Sequence, residues 1–247
     1  MKQKNKVDTT HKDYKKRSLD YFMINDLMEG ERAIKEAGTK YLPMLTGMKN
    51  NQKGKEAYER YKNRGEFFNA FERTVKGVIG SIFRVPPDYG DIKEEDLKTV
   101  GVDGCPFDII VSRTVKEVVG KGRIGILIDA DSNEEVVERK AYMAVYYAED
   151  IINWRTNYVE GKEKLTFLVL RESVELEDPQ DPFNVIEKEQ YRVFTIENGK
   201  CKVQLWEKKK DKVSGEKFFT SKTFIPTVSG KQIDYIPFII ILSLIHI

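Results

Sequence analysis

Cysteine and histidine are almost missing from this chain: its 247 residues hold two of each, Cys105, Cys201, His11 and His246. With no Cys-x-x-Cys pair and no His-rich tract, neither a disulfide framework nor a zinc site is indicated, and a reducing compartment is the default. Nucleophilic catalysis has little to draw on, since His11 lies in the N-terminal lead, His246 at the far end, and neither cysteine has a base at a motif spacing. The Gly-x-x-x-x-Gly-Lys-Ser/Thr pattern is absent, which removes the P-loop route to nucleotides. The longest apolar stretch, Ile236 to Ile247, is about half the ~20 residues that a membrane-crossing helix needs. Met1 to Lys16 is basic and polar without an apolar segment, so no secretory signal or anchor is expected there. No cofactor is expected, and a soluble cytosolic chain is.

An excess of one charge is missing as well. Lys plus Arg is 42 and Asp plus Glu 40, so the net charge gives no global attraction for nucleic acid or anionic lipid. What is plentiful is charge of both signs: 33% of the residues are charged, against about 25% in an average globular domain. With 40% hydrophobic residues, this describes a well-solvated surface over an ordinary core, in a chain long enough to bury one.

Along the chain, residues 1 to 10 read as a flexible polar lead whose Asp8, Thr9 or Thr10 caps a helix from about His11 to Ala37. Leu19, Phe22, Met23, Leu27 and Ile34 give that helix one partial apolar face. Gly38 sits at a C-cap position, and Lys40 to Gly47 reads as a connecting loop. Tyr58, Tyr61, Gly65, Phe68, Phe71, Val75, Val78, Ile79 and Ile82 recur at three- and four-residue steps until Pro86-Pro87, which predicts one helix of about 30 residues. Such a length suits an elongated subunit. A third helix is expected over Pro106 to Gly120, with Phe107, Ile110, Val111, Val115, Val118 and Val119 inward.

Strands follow at Arg123 to Asp129, Ala141 to Tyr147, Leu165 to Leu176, Gln190 to Ile196, Lys200 to Trp206 and, weakly, Phe218 to Phe224. Asn198-Gly199 marks a two-residue hairpin, because both central positions of that turn need positive φ. The fold class expected is α+β, with long N-terminal helices followed by a mainly antiparallel sheet. The divisions are the lead (1–10), a helical region (11–122), a mainly β region of the same unit (123–241) and a tail (242–247). That tail, Leu242-Ser-Leu-Ile-His-Ile247, is similar to the translation of a transposase-type sequencing adapter and reads as non-native, on a truncated reading frame. Its plainer reading is a terminal apolar strand.

The best catalytic constellation is acidic: Asp129, Asp131, Glu134 and Glu135 follow a buried strand, where a metal-dependent nuclease places carboxylates. The competing reading is turn chemistry in a polar connection between strands, and it is preferred because no Lys or His stands at a spacing that completes a site. Gly120, Gly122 and Gly125 lie at a helix-to-strand junction, the reverse of a phosphate-binding turn, and read as a helix stop. Lys2, Lys4, Lys6, Lys12, Lys15, Lys16 and Arg17, with Lys208 to Lys212, could touch phosphate, although a solvated terminus is the simpler reading. The stripe Tyr58, Tyr61, Phe68 and Phe71 reads as core packing or as a seat for a partner helix.

Several segments, in order, resemble a family of phage and prophage proteins treated as portal proteins of tailed bacteriophages. They are His11-Lys-Asp-Tyr14, Met28-Glu-Gly-Glu31, Lys40-Tyr-Leu-Pro43, Phe68-Asn-Ala70, Arg73-Thr74 and Ile82-Phe-Arg84. They continue with Gly122-Arg-Ile-Gly-Ile-Leu-Ile-Asp129, Tyr147-Ala-Glu-Asp-Ile-Ile-Asn-Trp154, Leu168-Val-Leu-Arg-Glu172, Asp181-Pro-Phe183 and Glu189-Gln-Tyr-Arg192. The resemblance spans about residues 11 to 238. It implies a structural subunit, not an enzyme, that forms a homo-oligomeric ring, typically of twelve, at one capsid vertex. Double-stranded DNA passes through such a ring without sequence specificity during packaging and ejection. Terminase, the major capsid protein and a head-tail adaptor are the implied partners, and the virion, with the host cytoplasm during assembly, is the implied location. Family members are longer, with stem, clip and crown parts, so this chain corresponds to an N-terminal fragment with a portal wing-like fold. The competing readings are another virion assembly protein, adaptor or tail subunit, and a metal-dependent phage nuclease.

Overall fold

A computed structural model describes residues 6–48, 51–130, 141–159, 161–210, 217–228 and 230–243. Its class is α+β: helices come first and antiparallel sheets follow. Helix α1 (Lys12–Glu29) starts at His11, whose Nδ1 accepts the Asp13 backbone N–H at 3.2 Å; the cap is thus His11 and not Asp8, Thr9 or Thr10. Its end also differs from the single helix expected to Ala37. Gly30, at φ 93°, leaves the helical region and returns its N–H to the Asp26 carbonyl. The short α2 (Glu31–Glu36) and a 3-10 turn at Gly38–Lys40 follow. Tyr14 and Tyr21 are the buried residues of α1, whereas Leu19, Phe22 and Met23 face outward.

The 30-residue helix is corrected to two of 13 residues, α3 (Gln52–Arg64) and α4 (Ala70–Ile82). Gly65 is extended at the end of α3. Asn69 opens α4 by accepting the Glu72 N–H at 3.0 Å and donating its side-chain amide to the Glu72 carboxylate at 3.1 Å. A reciprocal cap of this kind costs the apolar periodicity nothing, so the stripe runs on through a break in the backbone. The elongation inferred from helix length therefore falls. After α5 (Glu94–Leu97), α6 (Phe107–Lys121) lies where it was expected, but only Ile110 of its apolar residues is fully buried. Gly122, at φ 77°, stops it with its N–H on the Glu117 and Val118 carbonyls.

The strands are β1 (Arg123–Ala130), β2 (Ala141–Tyr147), β3 (Ile151–Val159), β4 (Lys162–Asp178), β5 (Asp181–Glu197), β6 (Lys200–Lys210), β7 (Lys217–Phe224), β8 (Thr227–Val228), β9 (Lys231–Gln232) and β10 (Phe238–Leu242). One sheet has the order β10-β1-β2, a second is the meander β3-β4-β5-β6-β7, and β8-β9 form a small ribbon. The β5–β6 turn is the expected hairpin: Asn198 and Gly199 have φ of 52° and 73° between paired Glu197 and Lys200. Strand β3 is not among the strands expected from the sequence. Leu242 pairs with Arg123 and the Ser243 N–H donates to the Gly122 carbonyl, so the expected boundary at 242 falls inside a strand; residues 244–247 lie outside the described ones.

Alternation along the meander creates two cores. Leu168, Leu170, Phe194, Cys201 and Val203 face the three-stranded sheet and pack with Leu127, Ile151, Ile233, Ile236 and Phe238. Val169, Tyr191 and Val193 point the other way, onto Tyr14 and Tyr21 of α1, with Ile152 and Ala148. The helical and β regions thus share a core. The described part of the lead is tied in as well, because the Thr9 carbonyl accepts the Asn153 side-chain amide at 2.9 Å and Val7 packs on the second core.

Strand β3 pairs with β4 only as far as Leu170, and β6 with β5 only from Gln190. Between those points, β4 and β5 continue alone as a two-stranded arm to the turn at 178–181. At 3.3 Å per residue the arm runs about 23 Å beyond the sheet.

Candidate functional site

Three polar clusters are built into this frame. The first lies between the two large sheets, where Arg192 on β5 reaches Asp129 on β1 at 2.8 Å and Glu172 on β4 at 2.7 Å. Glu172 also accepts from the Tyr146 hydroxyl and from the Gln190 amide, the latter at 2.6 Å. Burial, reinforced by Glu172, pushes the Tyr146 phenol far above its ordinary value, so it acts here as a donor and not as an acid. Burial, the largest single effect, opposes the charge on Arg192, but Glu172, Tyr146 and Asp129 together outweigh it and the guanidinium is held more firmly protonated. Asp129 is consequently occupied by a cation of its own chain.

The second cluster joins helices to the β2–β3 turn. Lys121, at 7% exposure, places its ammonium 2.9 Å from Glu117 and from both Glu149 oxygens. Burial lowers its pKa, and the two carboxylates more than restore it, for a net rise. Asn25 of α1 donates to the same Glu149 at 2.9 Å, and the Tyr14 hydroxyl donates to the Glu149 carbonyl at 2.9 Å. Every charge in the set has a partner, which is what burial at this depth demands.

The third is a cleft of about 750 Å³ between the start of α1 and strands β1, β3, β4 and β10, lined among others by Lys16, Arg17, Arg123, Trp154 and Glu163. Arg123 lies over the Trp154 ring at 3.6 Å, and His11 stacks on that ring at 4.0 Å. Burial lowers the pKa of both groups. The Arg123 Nε has no hydrogen-bond partner among the described residues, yet it is sealed from solvent and does not open into the cleft.

No protein-family model matches the chain, and no curated protein is significantly similar to it.

Of the acidic constellation, Asp129 is at the end of β1 and bonded to Arg192, while Asp131, Glu134 and Glu135 lie outside the described residues. Among the described residues no group of three His, Cys, Asp or Glu is placed to hold a metal ion. Of Gly120, Gly122 and Gly125, only Gly122 is the helix stop expected; Gly120 lies within α6, and Gly125 lies within β1, where a Cβ would meet the Phe238 ring and come within 2.9 Å of Ile151. Of the basic residues, Lys16 and Arg17 line the cleft, and Lys6, Lys12, Lys15 and Lys208 are exposed, while Lys2, Lys4 and Lys212 lie outside the described residues. Tyr58 is buried and donates to the Leu42 carbonyl at 2.9 Å, while Phe68 projects from the α3–α4 break at 75% exposure, so the aromatic stripe is divided. Among the described residues no helix is long and apolar enough to cross a membrane. Sequence reading missed the Arg192–Glu172 pair; its signal was a charged residue set among the apolar residues of each of two adjacent strands.

Proposed function

We propose that the chain is a portal-type structural subunit of a tailed phage, one that works by assembling into a homo-oligomeric ring through which double-stranded DNA passes. What carries the reading is the ordered set of segments from His11 to Arg192 that resembles portal proteins. The surface supports it: Phe68, Val78, Ile82 and Val85 in and around α4, and Phe183 and Val185 on the β4–β5 arm, are large apolar residues left exposed, as expected of a subunit covered by its neighbours. The near-zero net charge suits a channel along which DNA must slide without being held. Terminase, the major capsid protein and a head-tail adaptor are the partners of such a ring, and the capsid vertex is its place. The nuclease reading loses ground because the Asp129 carboxylate is engaged by Arg192.

The test is negative-stain electron microscopy of the protein expressed from its genomic reading frame. Rings with a central hole wide enough for a DNA duplex are the expected result. A monomer at every salt and protein concentration would overturn it.

A further inference from the structure

Apart from contacts at its base, such as Tyr146 with Glu172 and Lys188 with Glu207, the β4–β5 arm has no third strand beside it among the described residues, and an isolated two-stranded ribbon is marginal in water. Its two faces differ. Glu175, Glu177 and Glu187 share one face with Val185, as the pairing Glu175↔Glu187 and Glu177↔Val185 requires, and Phe183 stands at the tip, past the register shift that follows Glu177. Between residues 173 and 188 there are five carboxylates and one lysine, and Lys188 is already paired with Glu207 at 2.7 Å. Directly opposed like charges such as Glu175 and Glu187 destabilise a ribbon. Phe183 is 98% exposed. A surface of this kind needs a partner that is cationic and apolar in the same order.

Helix α1 presents that order. Lys12, Lys15, Lys16, Leu19, Phe22 and Met23 recur at three- and four-residue steps along one stripe. Leu19 is 79% exposed, and Phe22 and Met23 are exposed as well. The stripe is opposite Tyr14 and Tyr21, which bind α1 to the second core, so it points away from that core, and Lys16 at its edge also borders the cleft. From Lys15 to Phe22 the helix rises about 10 Å, and from Phe183 to Glu187 the strand extends about 13 Å, so the cationic and apolar parts match in length.

We infer that the acidic and apolar face of the β4–β5 arm docks on the Lys12–Met23 stripe of α1 in a second copy of this chain. Arm and stripe are different surfaces, so the contact is heterologous and propagates from copy to copy, closing into a ring when the rotation allows. The inference rests on the ring-forming reading and names the two faces that would make the ring.

Two proteins with one accessible cysteine each, Val185→Cys and Leu19→Cys in a Cys105→Ser background, are mixed and oxidised. The Cα atoms must approach within about 7 Å for a disulfide to form. A covalent dimer in the mixture, absent from either protein alone, is the expected result. Lys12, Lys15 and Lys16 changed together to Glu should cut its yield at least tenfold, and Glu175, Glu177 and Glu187 changed to Lys in the other partner should restore it. Rings in the microscope without this cross-link, or a cross-link indifferent to the charge reversals, would overturn the docking while leaving the ring reading intact. A protein that sediments as a monomer under all conditions would overturn both.

Discussion

Replacing Arg192 by methionine keeps the aliphatic stem and removes the charge between the sheets. Glu172, whose side chain is 11% exposed, would keep only Tyr146 and Gln190 as neutral donors, and Asp129, at 35%, would turn to solvent. Removing one partner of a buried ion pair costs about 3–5 kcal/mol because the other charge is stranded. The more exposed Asp129 adds little, since screened pairs contribute ~1 kcal/mol or less. A loss of ~3 kcal/mol is therefore expected for R192M. At this chain length each kcal/mol corresponds to about 2–4 °C, so the melting temperature should fall by about 6–12 °C. Urea unfolding followed by Trp154 and Trp206 fluorescence measures the free energy directly. Adding Glu172→Gln to R192M should recover more than half of the loss, whereas Asp129→Asn alone should cost ~1 kcal/mol or less. R192M within ~1 kcal/mol of the wild type, or Asp129→Asn as costly as R192M, would refute the assignment of the stranded charge to Glu172.

Gly125→Ala places a methyl group against Phe238 and Ile151, both fixed in the core, and should destabilise by about 1–3 kcal/mol in the same unfolding assay. Cys201 is fully buried and its thiol is pushed up to about 11 by that burial, so a thiol reagent at pH 8 should label Cys105 and leave Cys201 untouched until urea is added. Hydrogen bonds from Lys40 and Tyr41 hold Asp26 below its ordinary 3.8. Their stabilising effect is complete above 3.8 and disappears as pH falls through the lower folded value, so amide protection around residues 38–42 should weaken only under acid, well below pH 4.

Local rules carried the reading where one residue decides a backbone conformation. Asn198-Gly199 makes its hairpin and Gly122 its helix stop because positive φ is demanded there and nothing tertiary competes. Periodicity misled at Gly65 to Asn69, since apolar spacing survives a break whose evidence is only a glycine followed by an Asn-x-x-Glu cap. The β4–β5 arm extends past the strands expected to Leu176 and from Gln190, because Pro179, Pro182 and a run of acids carry no strand signal and only pairing across the strands extends them. Strand β3 was passed over although its apolar Ile151 and Ile152 point to opposite cores, a pattern that becomes readable once both cores are known. The polar clusters depend on contacts between residues up to 63 positions apart, for Arg192 and Asp129, and more than a hundred, for Asn25 and Glu149. No window along the sequence contains either pair.

Strand β1 takes β10 as its neighbour on one side, and the two are separated by more than a hundred residues. During synthesis the first-made strand of that sheet must wait, with one edge open, until Phe238 to Leu242 have left the ribosome. The meander can form in the meantime from sequential hairpins, which close early and quickly. Its inward face, however, lacks Ile233, Ile236 and Phe238 until then. The newborn chain therefore carries an unpaired strand edge while more than a hundred further residues are made, and a half-covered apolar face until Phe238 emerges, the state most exposed to aggregation and to chaperone capture.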